Sequence, residues 1–214
     1  MILYATGSVA HPLDQEWRQA ITFHYPGIEA EFPVVIRRGT FTPTATGQIP
    51  GGGSYACWAT WHKGKSQGWL TARHVARAHL PSCLVDAATD CVDAALVDVP
   101  PLPKPLRPVK VSISATAPAT GVSVELDFKP GSPISTSIID VSSTLGINDA
   151  KFPLRISTNA AGKSGNSGSL ITEGGMPFGM YLGHFTPVKA PTASSGVELA
   201  LSQLETLVDL EAFA

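Results

Sequence analysis

Residues 162–170 read GKSGNSGSL. Glycines flank Ser167, so the backbone can turn sharply there and present a hydroxyl. In such a turn the N–H groups of Gly165 and Ser167 can point at one developing oxyanion. A hydroxyl is a weak nucleophile until a base takes its proton. Upstream, residues 68–76, GWLTARHVA, run from a strand into a tight turn that carries His74. Imidazole titrates near neutrality, which suits a base. Residues 92–97, VDAALV, put Asp93 at the start of a short apolar strand. Burying a carboxylate is costly unless it has a partner, and holding the imidazole N–H would supply one.

Each motif alone is ordinary. A histidine after a strand is usually structural. An aspartate at a strand end usually caps a turn, and Asp86, Asp90 and Asp98 lie close by. A serine among glycines usually marks a loop. All three in the order His, Asp, Ser are not expected by chance. Two other readings fail. A phosphate loop ending in Gly162-Lys163-Ser164 needs glycine at 157, where Ser157 stands. A nucleophile elbow needs glycine at 169, where Ser169 stands, and an acid and then a histidine beyond Ser167. Only Glu173 and His184 follow, too close together.

The motifs resemble those of the chymotrypsin-like (trypsin-like) serine proteases. LTARH is similar to the family's L-T-A-A-H, DAALV to its D-[IV]-A-L, and GNSGS to its G-D-S-G-G. The likeness covers roughly residues 50–214. It implies an all-β fold of two packed six-stranded antiparallel barrels with a C-terminal helix, and hydrolysis of peptide bonds through an acyl-enzyme. It implies His74 as base and then acid, Asp93 as its orienting partner, and Ser167 as nucleophile. Gly165 and Ser167 amides would form the oxyanion hole. No metal or cofactor is expected. The family's acid before the serine is Asn166 here, which cannot pair with a new N-terminus. Zymogen activation of that kind is therefore not expected, as in bacterial and viral members. The pocket floor falls near Ala161-Gly162 and has no acid, so an Arg/Lys preference of the trypsin kind is not expected. The strand Gly179–Gly183 resembles the pocket-lining strand. Tyr181, Leu182, Gly183 and His184 are its candidate lining, although Tyr181 is more often a core aromatic and His184 a surface one. A polar wall of this kind can suit Glu, Gln or an aromatic side chain.

The rest of the chain is β-patterned. Runs at 33–37, 55–62, 69–71, 93–99, 109–113, 121–128, 135–141, 153–158, 170–173 and 178–182 read as short strands. Trp58, Trp61 and Trp69 cluster on one hairpin as barrel core or rim. Residues 13–21 read as a helical turn or two, 72–79 as another, and 40–53 as a loop. Residues 100–108, PPLPKPLRP, hold five prolines in nine positions and read as a stiff connector. The expected division is an N-terminal barrel over 1–99 carrying His and Asp, and a C-terminal barrel over 109–214 carrying Ser. Apolar residues at 197, 199, 201, 204, 207, 208 and 210 match helical spacing, with Ser194 or Ser195 as cap.

Bulk properties bound the function. The 214 residues include 20 glycines and 18 prolines, which suits many chain reversals. With a net charge of -2 and no run of like charge, no nucleic-acid partner is expected. No segment reaches the length of a membrane span, and the N-terminus does not read as a signal peptide, so the expectation is a cytoplasmic protein with no membrane association. Three cysteines, Cys57, Cys83 and Cys91, suit a reducing compartment, and Cys83 and Cys91 can pair only if their strands adjoin. His11, His24, His62 and His79 show no partner pattern. The first 40 residues are early strands or an arm for a protein partner. Besides a broad endopeptidase acting on peptides or proteins, two readings stand. One is a protease-like peptide-binding module with little turnover. The other is a protease restricted to itself or one partner, as in viral polyprotein or bacterial defence types.

Overall fold

The computed structural model describes residues 2–5, 17–25, 28–43, 49, 52–88, 92–99, 109–128, 132–143, 154–187 and 194–213. Cys91, the proline-rich connector and most of the loop after Pro43 lie outside them. For residues 2–43 the course and pairing of strands are described. Strands β1 (Ile2–Ala5), β2 (Trp17–Tyr25) and β3 (Ile28–Pro43) come first. The helical turn expected over 13–21 is strand from Trp17 onward, because β2 pairs antiparallel along β3, Trp17 opposite Ile36 through Tyr25 opposite Ile28. Pairing overrides the local pattern here. Thr40–Pro43, expected in a loop, also belong to β3.

Next come β4 (Trp58–Trp61), β5 (Ser66–Thr71), helix α1 (Arg73–His79), β6 (Leu84–Ala87), β7 (Ala95–Val97) and β8 (Lys110–Val111). β4 and β5 form a hairpin, Trp58 opposite Trp69. Its turn places His62, Lys63 and Gly64 at positive φ, 53°, 59° and 78°. Trp61 is fully buried, while Trp58 and Trp69 meet edge to face at 5.5 Å. Then follow β9 (Ser123–Leu126), β10 (Ile134–Ser143), β11 (Leu154–Thr158), β12 (Leu170–Glu173), β13 (Met176–Pro187), β14 (Ser195–Ala200), α2 (Leu201–Val208) and β15 (Glu211–Phe213).

Two sheets result. One sheet has six strands in the order β6-β7-β5-β4-β15-β8. In the second sheet β13 pairs β12, then the order runs β9, β10, β11 and β14, and β14 returns to β13. That ring also has six strands. β3 lies against the far end of β13, Phe41 opposite Phe185, with β1 and β2 beyond it. The pairings cross the division expected at the connector. β15, from the C-terminus, joins β4, and β3, from the first 50 residues, joins the second sheet.

The expected terminal helix is shorter than its periodicity. Residues 195–200 are strand β14, and Val197, Leu199 and Leu201 alternate as well as they fit a helix. Ala200 sits at the N-cap with no side-chain cap bond, so neither Ser194 nor Ser195 caps it. Asp209 in the left-handed region (φ 51°, ψ 52°) ends it after Val208. Met180, Leu182, Leu199, Leu201 and Leu204 pack with Leu70, Leu96 and Val97 of the first sheet. Tyr181 instead joins Val124, Leu126, Ile138, Ile156, Ile171 and Phe178 inside the second. β13 thus serves both cores. Each fully buried Leu or Ile contributes about 1.5–3 kcal/mol. Among the described residues no helix is long and apolar enough to cross a membrane.

Candidate active site

His74 is the second residue of α1. Ala72, at the N-cap, has no side chain able to cap it. The cap comes from a distant residue. Asp93 Oδ1 accepts the His74 backbone N–H at 2.9 Å. Its other oxygen, Oδ2, lies 2.7 Å from His74 Nδ1. A carboxylate can only accept, so Nδ1 carries the proton and Nε2 of a neutral ring presents its lone pair. Nε2 is buried and has no hydrogen-bond partner. Asp93 is held by its own loop. Ala94 N–H donates to Val92 O (2.9 Å), Ala88 N–H donates to Ala94 O (3.1 Å), and Arg73 Nη1 donates to Ala88 O (3.1 Å).

Ser167 sits in the tight turn before β12 and is fully buried. Gly165 and Gly168 take φ of 102° and 97°, which side-chain-bearing residues rarely adopt. Asn166 Oδ1 accepts the Lys163 N–H (2.6 Å), and Asn166 N–H donates to Lys163 O (3.1 Å). Its Nδ2 also donates to Phe128 O at 3.4 Å. Asn166 therefore staples this loop. Gly168 N–H donates to Tyr181 O (2.8 Å), and Ser169 N–H donates to Asn166 O (2.9 Å).

A residue that sequence reading passed over joins the two halves. Ser54 is buried, its N–H donates to Ser167 O at 2.7 Å, and its Oγ donates to Gly165 O at 2.6 Å. Its own carbonyl accepts Thr71 Oγ1 at 2.7 Å. A Cβ on Gly168 would stand 1.9 Å from Ser54 O and 2.6 Å from Thr71 Oγ1. Thr71 leads directly to His74, so the histidine segment and the serine turn meet across Ser54. The signal in sequence was GGGS at 51–54, where the small residues allow that close approach.

The serine hydroxyl does not donate to the histidine here. Ser167 Oγ donates to Leu182 O at 2.5 Å. The fold brings His74 and Asp93 into direct contact and Ser167 into contact with Leu182. Of the expected pocket residues, Ala161 is exposed, while Gly162 and His184 are half-buried. Leu182 and Tyr181 are buried. Gly162 N–H donates to Tyr181 Oη at 2.7 Å, and the Tyr181 ring meets Phe128 edge on at 4.7 Å. Burial pushes the Tyr181 phenol above the usual range.

Glu198 was not foreseen. It is fully buried on β14, opposite Tyr181 on one side and Ile156 on the other. Its Oε1 accepts Thr158 Oγ1 at 2.8 Å, while its Oε2 has no hydrogen-bond partner. Burial drives its pKa well above the usual carboxylate range, and the Thr158 bond only partly opposes this. An acid inside an apparent helical stripe gave no sign in sequence of facing a barrel interior.

No protein-family profile and no curated protein sequence matches the chain. Solved structures do. The Nocardiopsis protease NAPase is 17% identical, covering 79% of this chain and 97% of its own, with a TM-score of 0.54. Protease A of Thermobifida fusca is 16% identical, covering 81% and 96%, with a TM-score of 0.55. A glutamic acid-specific serine protease, described as using a histidine triad in substrate binding, is 18% identical, covering 75% and 93%, with a TM-score of 0.53. With its closed six-stranded barrel, its second antiparallel sheet and the core strand they share, the chain has the fold of the chymotrypsin-like serine proteases.

Proposed function

We propose that the protein is a serine endopeptidase that cleaves peptide bonds through an acyl-enzyme. The observation that carries this reading is the double grip of Asp93 on His74, which leaves Nε2 buried and without a hydrogen-bond partner. An imidazole held in that tautomer is poised to take a proton. Ser167 is its nucleophile. Activation requires its hydroxyl to leave Leu182 O and turn toward Nε2. Catalytic hydrogen bonds of this kind often form only when substrate is present. Asp93 then stabilises the imidazolium, which returns the proton to the leaving amine. Gly165 and Ser167 amides bind the oxyanion. The inward bonding of the Asn166 and Gly168 amides, which alternate with them, supports that assignment. Water hydrolyses the acyl-enzyme by the same route, with no metal or cofactor.

Digestion of a proteome-derived peptide library, read by mass spectrometry, tests the reading. The wild-type protein cleaves it and Ser167→Ala does not. Equal cleavage by both, or none by a folded wild type, counts against it.

A further inference from the structure

One edge of β13 is shared end to end by three parts of the chain. β14 pairs β13 from Gly179 to Phe185. β12 pairs it from Met176 to Met180, and β3 from Gly183 to Pro187. Each of these overlaps β14 in register, so both lie on the edge that β14 leaves open. The serine turn fills the step between them. Gly168 N–H donates to Tyr181 O (2.8 Å), Tyr181 N–H donates to Ser169 O (2.9 Å), and Ser167 Oγ donates to Leu182 O (2.5 Å). Pro43, the end of β3, stands opposite Gly183. Along this edge, β3 therefore follows directly on Ser167.

The chain is held beside Ser167 a second time. Ile49 is buried and its N–H donates to Gly53 O at 3.0 Å, and Ser54 N–H donates to Ser167 O at 2.7 Å. Residues 44–48, TATGQ, join the two anchored points. Ser167 and His74 Nε2 are both buried, although the proposed reaction needs a peptide to reach them. An extended peptide laid antiparallel on a sheet edge is held by main-chain bonds, and β3 already makes that pairing.

We propose that β3 takes the place of a peptide substrate on β13, so that the first bond presented to Ser167 is the chain's own, Thr44–Ala45. This rests on the endopeptidase reading. Thr42 lies opposite His184 and Pro43 opposite Gly183, so one further step of the register sets Thr44 opposite Leu182, whose carbonyl holds the Ser167 hydroxyl. Ser167 Oγ bonds to the Thr44 carbonyl carbon while its proton passes to His74 Nε2. The bond to the Ala45 nitrogen breaks, and that nitrogen takes the proton. Water then releases Thr44 as a carboxylate and restores the serine. Because substrate and nucleophile share one chain, the step is unimolecular. The cut leaves residues 1–44 without a covalent link to the site, and the edge opens to other peptides when they depart. Asn166 already bonds within its own loop at 2.6 Å, so the new N-terminus at Ala45 clears the edge rather than building the site.

Intact-mass and N-terminal analysis of purified protein, followed in time, tests this. Wild type yields a new N-terminus at Ala45, and the fraction cut per hour is unchanged over a roughly tenfold dilution. Ser167→Ala stays intact, even when mixed with wild type. Occupancy of the edge is read without activity. In the Ser167→Ala chain, Thr42→Cys with His184→Cys forms a disulfide on mild oxidation, because opposed residues of an antiparallel pair are close enough to bridge. If the cysteine variant does not fold, the site and dilution dependence of wild-type cleavage decide alone. A wild type that digests the peptide library but stays intact, a cut at another bond, a rate that falls with dilution, or a folded cysteine variant without the bridge overturns the proposal and leaves the endopeptidase. A bridge that forms in a protein cleaving neither itself nor the library removes the endopeptidase and leaves β3 as the occupant of the edge.

Discussion

Asp93 holds His74 at two points, accepting its backbone N–H at 2.9 Å and facing its ring Nδ1 at 2.7 Å. One residue thus caps a helix and orients an imidazole, and substitutions can divide the two roles. In Asp93→Asn an amide oxygen remains to accept the helix N–H, but the ring loses its carboxylate. We expect near-normal thermal stability and a fall in kcat on the order of 10⁴-fold. Asp93→Ala should lose the cap as well, at about 1 kcal/mol. Peptidase assays beside thermal melts check both. Equal melting losses in the two variants would contradict the division.

Gly168 joins the sheets because it has no side chain. Gly168→Ala places a Cβ against Ser54 O at a φ of 97°. Destabilisation above about 4 kcal/mol is expected, the range that needs a definite steric cause. Gly174→Ala, at φ 55° with open space around it, should cost only about 1 kcal/mol for the left-handed backbone. Urea denaturation measures both, and similar losses would remove the special role of the Ser54 contact.

Cys57 and Cys83 carry free thiols. Burial pushes the Cys57 thiol up to about 12. Thiolate is the reactive form, so Cys57 should resist iodoacetamide at pH 8 while half-buried Cys83 is alkylated. Site-resolved mass spectrometry of the native protein reads this directly.

Asp86 Oδ2 accepts Trp61 Nε1 at 2.8 Å and Ser66 Oγ at 2.7 Å. Burial works to raise its pKa, but the bonds from Ser66, Trp61 and the Ala87 amide, with the nearby His62, prevail and lower it. A lowered carboxylate contributes stability that is full above its unfolded value, about 3.9, and is lost as pH falls through the folded value. Asp86→Asn keeps an acceptor but cannot titrate. Its stability should therefore decline less steeply than wild type below about pH 4. Chemical denaturation between pH 2 and 6, in units set by the unfolded value, tests the difference.

Sequence made the β-rich fold and the pairing of His74 with Asp93 legible because local signals coincide with global ones. LTARH is a strand entering a turn, and GNSGS is a turn in any context. The first 43 residues were less readable, since β2 and β3 are defined by each other and by β13 rather than by their own pattern. The start of the terminal helix was misplaced because Val197, Leu199 and Leu201 satisfy periods of both 2 and 3.6. Ser54 and Glu198 were missed for a shared reason. Each acts through residues over 25 positions away in sequence, Gly165 and Ser167 for one and Thr158 for the other, and no local pattern encodes such a partner.

Labelling with a fluorophosphonate probe tests the central claim most directly, because the probe reports an activated serine without any knowledge of substrate. The account predicts that the wild type labels at Ser167 and that Ser167→Ala and His74→Ala do not. A folded wild type that stays unlabelled, or a His74→Ala variant that labels as fast as wild type, would contradict it.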